Sequence, residues 1–303
     1  MDPQSKPLIS VVTLNYNQAG VTKEFLESFR AIRYPHYEIL VCDMASVEDI
    51  SSRINFEEFP NAKLMLSKEN LGFAGGNNWG IAQAKGDFIF IVNNDTEVTP
   101  DLLDHLIQPF FDQPNIGVTC PKIKFFDQPE VIQYAGFNPM NHFTGRTSTI
   151  GDREPDKGQF DTPGPTNGAH GCAMLVKRDV ITKVGMFPRK FFLYYEEWDW
   201  SARILKAGYT IWYTPNAVIY HKESMSVGKN NPMKIYYHTR NRILYMRRNT
   251  NFLQLITFSA FFIFFTFPKS VISFALKKQF LQLRYFIKGA VWNLYSSSYS
   301  PVN

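Results

Sequence analysis

Asn93, Asn94 and Asp95 follow directly on the apolar run 88–92 (F-I-F-I-V). Open α/β sheets present their ligand chemistry at the carboxyl ends of buried strands, which makes a carboxylate there a candidate ligand contact. Upstream lies a second unusual segment, N-L-G-F-A-G-G-N-N-W-G at 70–80. Small residues and amides this dense ahead of a helical pattern let the backbone approach a ligand closely. Together the two segments suggest a site for a nucleotide diphosphate held by a metal ion. The plainer readings are an Asx turn closing the strand at Asp95 and a simple turn at 70–80. A dinucleotide fingerprint is excluded, because no G-x-G-x-x-G occurs and the segment does not follow the first strand.

The elements that must position these residues alternate along the chain. Buried-strand patterns occupy 8–14, 37–42, 62–66 and 88–92, with a helical pattern over about 21–33 and another opened by the Gly-rich segment. Strand-helix alternation predicts an α/β fold with a mostly parallel sheet and helices on both faces. Right-handed crossovers then gather the ends of the first, second and fourth strands on one edge. Asn15, Asp43 and Asp95 each follow one of those strands, and three convergent polar residues count for more than one. From about 116 to 171 the pattern turns to short strands and many Pro and Gly. Loops of that length are usually functional, and these are expected to shape an acceptor pocket. A strand at 173–176 follows, then a helix from about 196 to Gly208, and two closing strands at 209–213 and 217–220 ending at His221.

Charge divides the chain. From Lys222 onward there are twelve Lys/Arg and one acidic residue, against twenty basic and twenty-six acidic residues over 1–221. A mildly acidic body with a strongly basic tail reads as a catalytic domain carrying a surface-seeking segment. The tail holds an apolar run over 252–267, short of the roughly 20 residues that span a bilayer, and Pro268-Lys269 interrupts it. Arg240, Arg242, Arg247 and Arg248 precede it, and Lys277, Lys278, Arg284 and Lys288 follow. Such bracketing suits a helix pair dipping into an anionic leaflet, with a buried C-terminal helix or a dimer contact as the alternatives. The long apolar runs argue against nucleic acid as the partner of this charge. Cys42, Cys120 and Cys172 lie far apart without a C-x-x-C pair, as expected in a reducing compartment without a disulfide framework or structural zinc. The N-terminal M-D-P-Q-S-K-P lacks the regions of a signal peptide, which implies a start in the cytoplasm.

The order N-Y-N at 15–17, Cys42-Asp43, N-L-G-F-A-G-G-N-N at 70–78, N-N-D at 93–95, Y-E-E-W-D at 195–199 and Tyr220-His221 resembles the family-2 glycosyltransferases of the GT-A fold. Within them it is similar to the bacterial rhamnosyltransferase-like branch. The resemblance covers roughly 8–245, and the combination is specific although each piece is common. It implies a Rossmann-like GT-A catalytic domain over 1–230, with a nucleotide-sugar half to about 115 and an acceptor half beyond it. The remainder, 231–303, is expected to be a helical, basic, membrane-associated segment.

The resemblance also implies roles. Asp95 matches a ligand of Mg²⁺ or Mn²⁺, with Asn93 where many relatives carry a second aspartate and His221 as a further metal or diphosphate contact, or a structural histidine. Asp43 resembles the residue that binds the nucleotide base, with a helix cap as the plainer reading, and Asn15 lies beside it. Asn70, Gly72, Gly75, Gly76, Asn77 and Asn94 would line the nucleoside and diphosphate. The family's Glu-Asp catalytic pair is here Glu196-Glu197, with Glu197 the first choice of base and Glu196 the second. Asp199 and Arg203 read as an ordinary i,i+4 ion pair. Trp198 and Trp200 are open between stacking on a sugar and packing in the core.

The resulting expectation is an inverting, metal-dependent glycosyltransferase, peripheral at the inner face of the cell membrane. It would use a nucleotide diphosphate sugar, dTDP-L-rhamnose or a UDP-sugar, and act on a bacterial surface glycan or its lipid-linked precursor. The alternatives are a catalytically silent glycan-binding scaffold and a sugar-1-phosphate nucleotidyltransferase. The latter needs an Arg and a Lys near the first strand, and N-Y-N-Q-A-G lacks both.

Overall fold

A computed structural model describes residues 6–222 and 231–302. The reading of 1–5 as leaderless, and the junction of domain and tail at 230, fall at or outside those limits. In chain order the elements are β1 (Ile9–Asn15), α1 (Ala19–Phe29), β2 (Tyr37–Asp43), β3 (Ala62–Leu66), α2 (Gly72–Gln83), β4 (Phe88–Val92), β5 (Thr96–Val98), α3 (Leu102–Ile107) and α4 (Pro109–Asp112). Then come β6 (Ile116–Phe125), β7 (Gln128–Tyr134), β8 (Gly164–Thr166), β9 (Ala173–Lys177), α5 (Arg178–Val184), α6 (Glu196–Lys206) and β10 (Thr210–His221). The C-terminal helices are α7 (Pro232–Asn249), α8 (Phe252–Phe261), α9 (Phe267–Leu276) and α10 (Phe280–Tyr295).

One sheet runs β3-β2-β1-β4-β9-β6-β10-β5, with β7 added to β6 and β8 to β10. The first four strands are parallel. β9 runs against both β4 and β6, so β6 and its parallel neighbour β10 point the same way as β1. The sheet is mixed but mostly parallel, and β4 is buried along its whole length, which is why it reads as an unbroken apolar run. Helix α2 lies close on β1 and β2 because glycines face the strands. A Cβ on Gly80 would stand 2.5 Å from Val12 Cγ1, and one on Gly76 2.8 Å from Met44 Sδ.

Three expectations change. The closing strands at 209–213 and 217–220 are one strand, β10, with a register shift between Thr214 and Val218 on β6. A bulge of this kind interrupts the apolar pattern without ending the pairing. Pro268 does not break the tail: α8 and α9 form a continuous 25-residue helix, Phe252–Leu276. A π turn at Phe262–Thr266 immediately precedes the proline, widening the backbone where the ring would clash with a carbonyl one turn back. At 1.5 Å per residue that helix is roughly 37 Å long. By length and composition it is able to cross a membrane, which alone is weak evidence that it does.

The third change concerns the arginines ahead of that helix. Arg240 and Arg242 are buried. Arg247 donates to Asn293 Oδ1 and Ser296 O, and Arg248 to Asp199 and Ser298 O. This cluster therefore holds the protein together rather than facing lipid. Lys269, Lys277, Lys278, Arg284 and Lys288 are exposed, beside the exposed Ile263, Phe264, Phe265 and Ile272. Helix α7 packs on α6 and α10 and belongs to the body as much as to the tail.

Candidate active site

Parallel pairing of β1 with β2 sets Asn15 opposite Asp43 at the carboxyl edge. Asn15 donates to Asp43 Oδ1 at 2.6 Å, and Asp43 also accepts from the Ser46 hydroxyl at 2.6 Å and the Ser46 N–H at 3.0 Å. The chain of bonds continues from Thr22 to Asn15 Oδ1 and from Asn94 to Thr22, each at 2.8 Å. Buried polar groups fully satisfied in this way hold a rigid edge. Asp43 thus closes its own turn with Ser46 rather than capping a helix, since the next helical turn, Ile50–Ser52, is capped by Asp49, and it also braces the ends of β1, β2 and β4.

The Gly-rich segment divides. Asn70 closes a tight turn just ahead of α2, its Oδ1 accepting from Gly72 N–H at 2.9 Å. Gly72 has φ +68°, and a Cβ there would lie 2.5 Å from the Phe192 ring. Gly75, Gly76 and Asn77 are buried, and Asn77 Nδ2 bonds back to Phe73 O at 2.9 Å. At Gly76 the near neighbours are sheet side chains, so this glycine serves close packing.

Beyond β4, Asn93 N–H donates to Cys172 O at 2.8 Å, tying the N-N-D run to the start of β9. Antiparallel pairing of β5 with β10 puts Thr96 opposite His221. His221 Nε2 then stands 3.2 Å from Asp95 Oδ1, at an angle that does not make a hydrogen bond, so Oδ1 is a buried acceptor with no aligned donor among the described residues. On the other side of the ring His221 Nδ1 lies 2.8 Å from Gln133 Oε1. An amide oxygen only accepts, so Nδ1 donates to it while Nε2 faces the carboxylate. Burial disfavours a second proton, but Cys172 and Asp95 outweigh it and hold His221 well above its ordinary pKa.

No group of three or more His, Cys, Asp or Glu gathers among the described residues. Asp95 and His221 still fit a hard divalent ion that takes one or two protein ligands and draws the rest from phosphate and water. The unused Asp95 oxygen is the observation behind that fit.

The two glutamates open α6 and diverge. Glu196 is buried. Burial and then Glu197 raise its carboxyl well above the usual range. Glu197 faces a cavity of about 570 Å³, and burial pushes its pKa up to about 7. Each has an Oε2 with no hydrogen-bond partner among the described residues. Glu197 also lies 3.8 Å from the Cβ position of Gly171, next to Cys172 and hence beside the Asn93 anchor. Asp199 faces away and takes Arg203 at 3.0 Å, as expected, and in addition Arg248 at 2.7 Å and Asn249 at 2.8 Å. Trp200 is a core residue, its Nε1 donating to Gly185 O at 2.7 Å. Trp198 packs 4.3 Å from Phe137 and also lines the cavity.

Sequence reasoning did not find the residues that hold this corner. Phe192, Tyr194 and Tyr195 all have positive φ, 65°, 69° and 73°. Such conformations are costly for bulky residues and persist only where neighbours enforce them. Asn241 Nδ2 donates to the carbonyls of Phe191, Leu193 and Tyr194 at 2.9, 2.8 and 2.7 Å. Arg240 bonds the carbonyls of Lys190 and Phe191 at 2.7 and 2.6 Å. Helix α7 thus clamps the turn that aims Glu197. An Asn within a basic helix offers no sequence signal for that role, and neither does Gln133.

The profile of glycosyl transferase family 2 matches residues 10–185, more than half of the chain. The chain belongs to that family. This glycosyltransferase is 24% identical over 266 residues to an N-acetylglucosaminyl-diphospho-decaprenol L-rhamnosyltransferase of Mycobacterium tuberculosis, covering 79% of this chain and 84% of the relative. It is 21% identical over 245 residues to a low-salt glycan biosynthesis hexosyltransferase of Haloferax volcanii, covering 78% of this chain and 74% of that one. In fold it is similar to a mannosyltransferase of Pyrobaculum calidifontis solved with GDP-Man and Mn²⁺, with a TM-score of 0.62 at 16% identity over 97% of this chain and 89% of that one. The GT-A fold expected for the glycosyltransferase is the one found.

Proposed function

We propose that this glycosyltransferase is an inverting, metal-dependent enzyme that transfers a sugar from a nucleotide diphosphate sugar to a hydroxyl of a surface glycan or its lipid-linked precursor. The observation that carries the proposal is the Glu197 carboxyl, which lines a 570 Å³ cavity, is held up near neutral pH by burial, and keeps a buried Oε2 without a hydrogen-bond partner among the described residues. A base with a pKa near the working pH is best suited to take a hydroxyl proton in the transition state. The acceptor oxygen attacks the anomeric carbon as its proton passes to the Glu197 carboxylate. The bond from that carbon to the diphosphate oxygen breaks, and the electron pair leaves with the nucleotide.

Asp95 and His221, with the Asn93 amide beside them, would hold Mg²⁺ or Mn²⁺, which when bound neutralises the charge that grows on the leaving diphosphate. Asn15 and Asp43 would meet the base, with Asn70, Gly72, Gly75, Gly76, Asn77 and Asn94 supporting the nucleoside and diphosphate. The rhamnosyl-transferring relative favours dTDP-L-rhamnose as donor, with UDP-sugars next. The exposed cations and apolar side chains of α8 to α10 favour a cytoplasmic enzyme lying on the anionic inner face of the membrane.

The test is turnover of dTDP-L-rhamnose and UDP-hexoses with an acceptor, reading the anomeric configuration of the product by NMR. An inverted product supports the proposal. A retained configuration, or no turnover of any of these donors by folded protein, counts against it.

A further inference from the structure

The cavity at Glu197 is lined by Arg146, Lys234 and Arg242, and also by Phe274 of α9 and Phe286 of α10. None of the three cations forms an ion pair with a carboxylate among the described residues, although ion pairs are common elsewhere on the chain. Arg242 is 6% exposed and its Nε has no hydrogen-bond partner among the described residues. Its guanidinium lies 5.2 Å from the Phe262 ring centroid, a weak substitute for an anion. A buried, under-satisfied guanidinium is costly unless an anion completes it.

Arg146 is brought to the same cavity by a tight turn. Asn141 Oδ1 accepts from the N–H groups of Phe143 and Thr144 at 2.9 and 3.0 Å. Gly145 follows at φ +63°, its Cβ position 3.0 Å from both Arg242 Cγ and the Phe258 ring, and its carbonyl accepts from the Tyr195 hydroxyl at 2.9 Å. The turn that carries one cation is thus fastened to the helix that carries another and to the residue ahead of the glutamates.

Resting on the glycosyltransferase reading of this cavity, we propose that Arg146, Lys234 and Arg242 bind the phosphoryl group of a lipid-borne acceptor. Its hydrocarbon chain leaves past Phe274 and Phe286 toward the exposed apolar face of α8 and α9, and its sugar is presented to Glu197. The charge matches: three unpaired cations suit a diphosphate, and guanidinium groups bind phosphate oxygens in a fork. The geometry matches as well, since Phe274 comes from the same continuous helix that carries Ile263, Phe264 and Ile272 at the surface, and Phe286 from the helix that follows it. The C-terminal helices therefore form part of the acceptor site as well as a membrane contact.

The test is calorimetric titration of the full chain, without nucleotide or divalent metal, with farnesyl diphosphate, inorganic pyrophosphate and farnesol. Farnesyl diphosphate is expected to bind more tightly than pyrophosphate, and farnesol weakly. Arg242→Met and Lys234→Met are each expected to weaken farnesyl diphosphate about tenfold or more, the loss of one charged hydrogen bond. Arg146→Gln removes an exposed cation with no side-chain hydrogen bond or ion pair among the described residues, so it reads the same effect without a threat to folding. Equal binding of pyrophosphate and farnesyl diphosphate would overturn the lipid assignment. Unchanged binding in Arg146→Gln and Lys234→Met would overturn the phosphoryl site. Asp95→Ala is expected to leave this binding intact. Failure here with Asp95-dependent nucleotide binding preserved would sink this inference alone; loss of both would sink the enzyme reading with it.

Discussion

His221 Nε2 stands 3.2 Å from Asp95 Oδ1, across the antiparallel pairing of β5 with β10. Two residues from opposite halves of the fold thus face one point at the carboxyl edge of the sheet. Gln133 holds the far side of the ring, so the imidazole cannot turn away without losing a buried bond. His221→Ala is expected to weaken Mn²⁺-dependent nucleotide binding by about tenfold or more, as removal of groups around metals commonly does. Chelation with EDTA should reduce wild type to the level of the variant or below. Calorimetry with and without Mn²⁺ checks both, and equal affinities throughout would count against a metal at this pair.

Glu197 should set the acid limb of the pH profile. Its pKa of about 7 in the free protein places the midpoint of the acid limb of kcat/KM near pH 7, with activity rising as the carboxyl ionises. Glu197→Gln is expected to lose about 10²–10⁴ in kcat and to lack that limb. Glu196→Gln should cost less, because Glu196 does not face the cavity. Stability carries the opposite sign. A carboxyl raised in the folded state binds more protons there than in the unfolded chain, so its burial costs stability as pH rises from about 4.5 to about 7. Glu197→Gln should therefore raise Tm relative to wild type at pH 8 and change it little at pH 4. A larger loss of activity in Glu196→Gln than in Glu197→Gln would reverse the assignment of the base.

Asn241 is bonded to three carbonyls of the turn ahead of the glutamates. Asn241→Ala leaves the Leu193 and Tyr194 carbonyls short of a donor next to three residues at positive φ, at a cost of about 1–3 kcal/mol. The relaxed turn should misaim Glu197, lowering kcat while leaving nucleotide affinity near wild type. Urea denaturation and steady-state kinetics measure the two effects. A stable, fully active variant would show that the clamp is not needed.

The first strands and the turns behind them were legible from sequence because their information is local. The runs 62–66 and 88–92 coincide with β3 and β4, and Asp95 could be placed because it follows a strand that is apolar throughout. The C-terminal helices were not legible in the same way. Arg240 and Arg248 look like a lipid-seeking cluster until the Phe191 carbonyl and Asp199 are brought to them by the fold. Charge in a helix says nothing about its partner. Pro268 reads as a stop unless the π turn before it is known, and that turn has no sequence signature in a run of phenylalanines. Gly76 is a case of right residue and different use. A small residue allows close approach to a ligand or to a strand, and here the near neighbours are Met44 and Leu14.

The tail's exposed apolar face should bind anionic lipid. Phe264 and Phe265 are 72% and 64% exposed, so replacing both with Ser should leave folding and nucleotide binding unchanged. Sedimentation with vesicles containing phosphatidylglycerol should fall several-fold in this variant and in 0.5 M salt, since apolar burial and charge act together. Wild-type protein that stays in the supernatant would point instead to a protein partner for this face.

The central claim is a nucleotide diphosphate site that depends on a metal and on Asp95. Its most direct test is calorimetric titration of UDP, dTDP and GDP, with and without Mn²⁺, into wild type and Asp95→Ala. The account predicts that one nucleotide binds, that it needs Mn²⁺, and that Asp95→Ala loses it. Binding of none by folded wild type, or equal metal-dependent binding by Asp95→Ala, would contradict it.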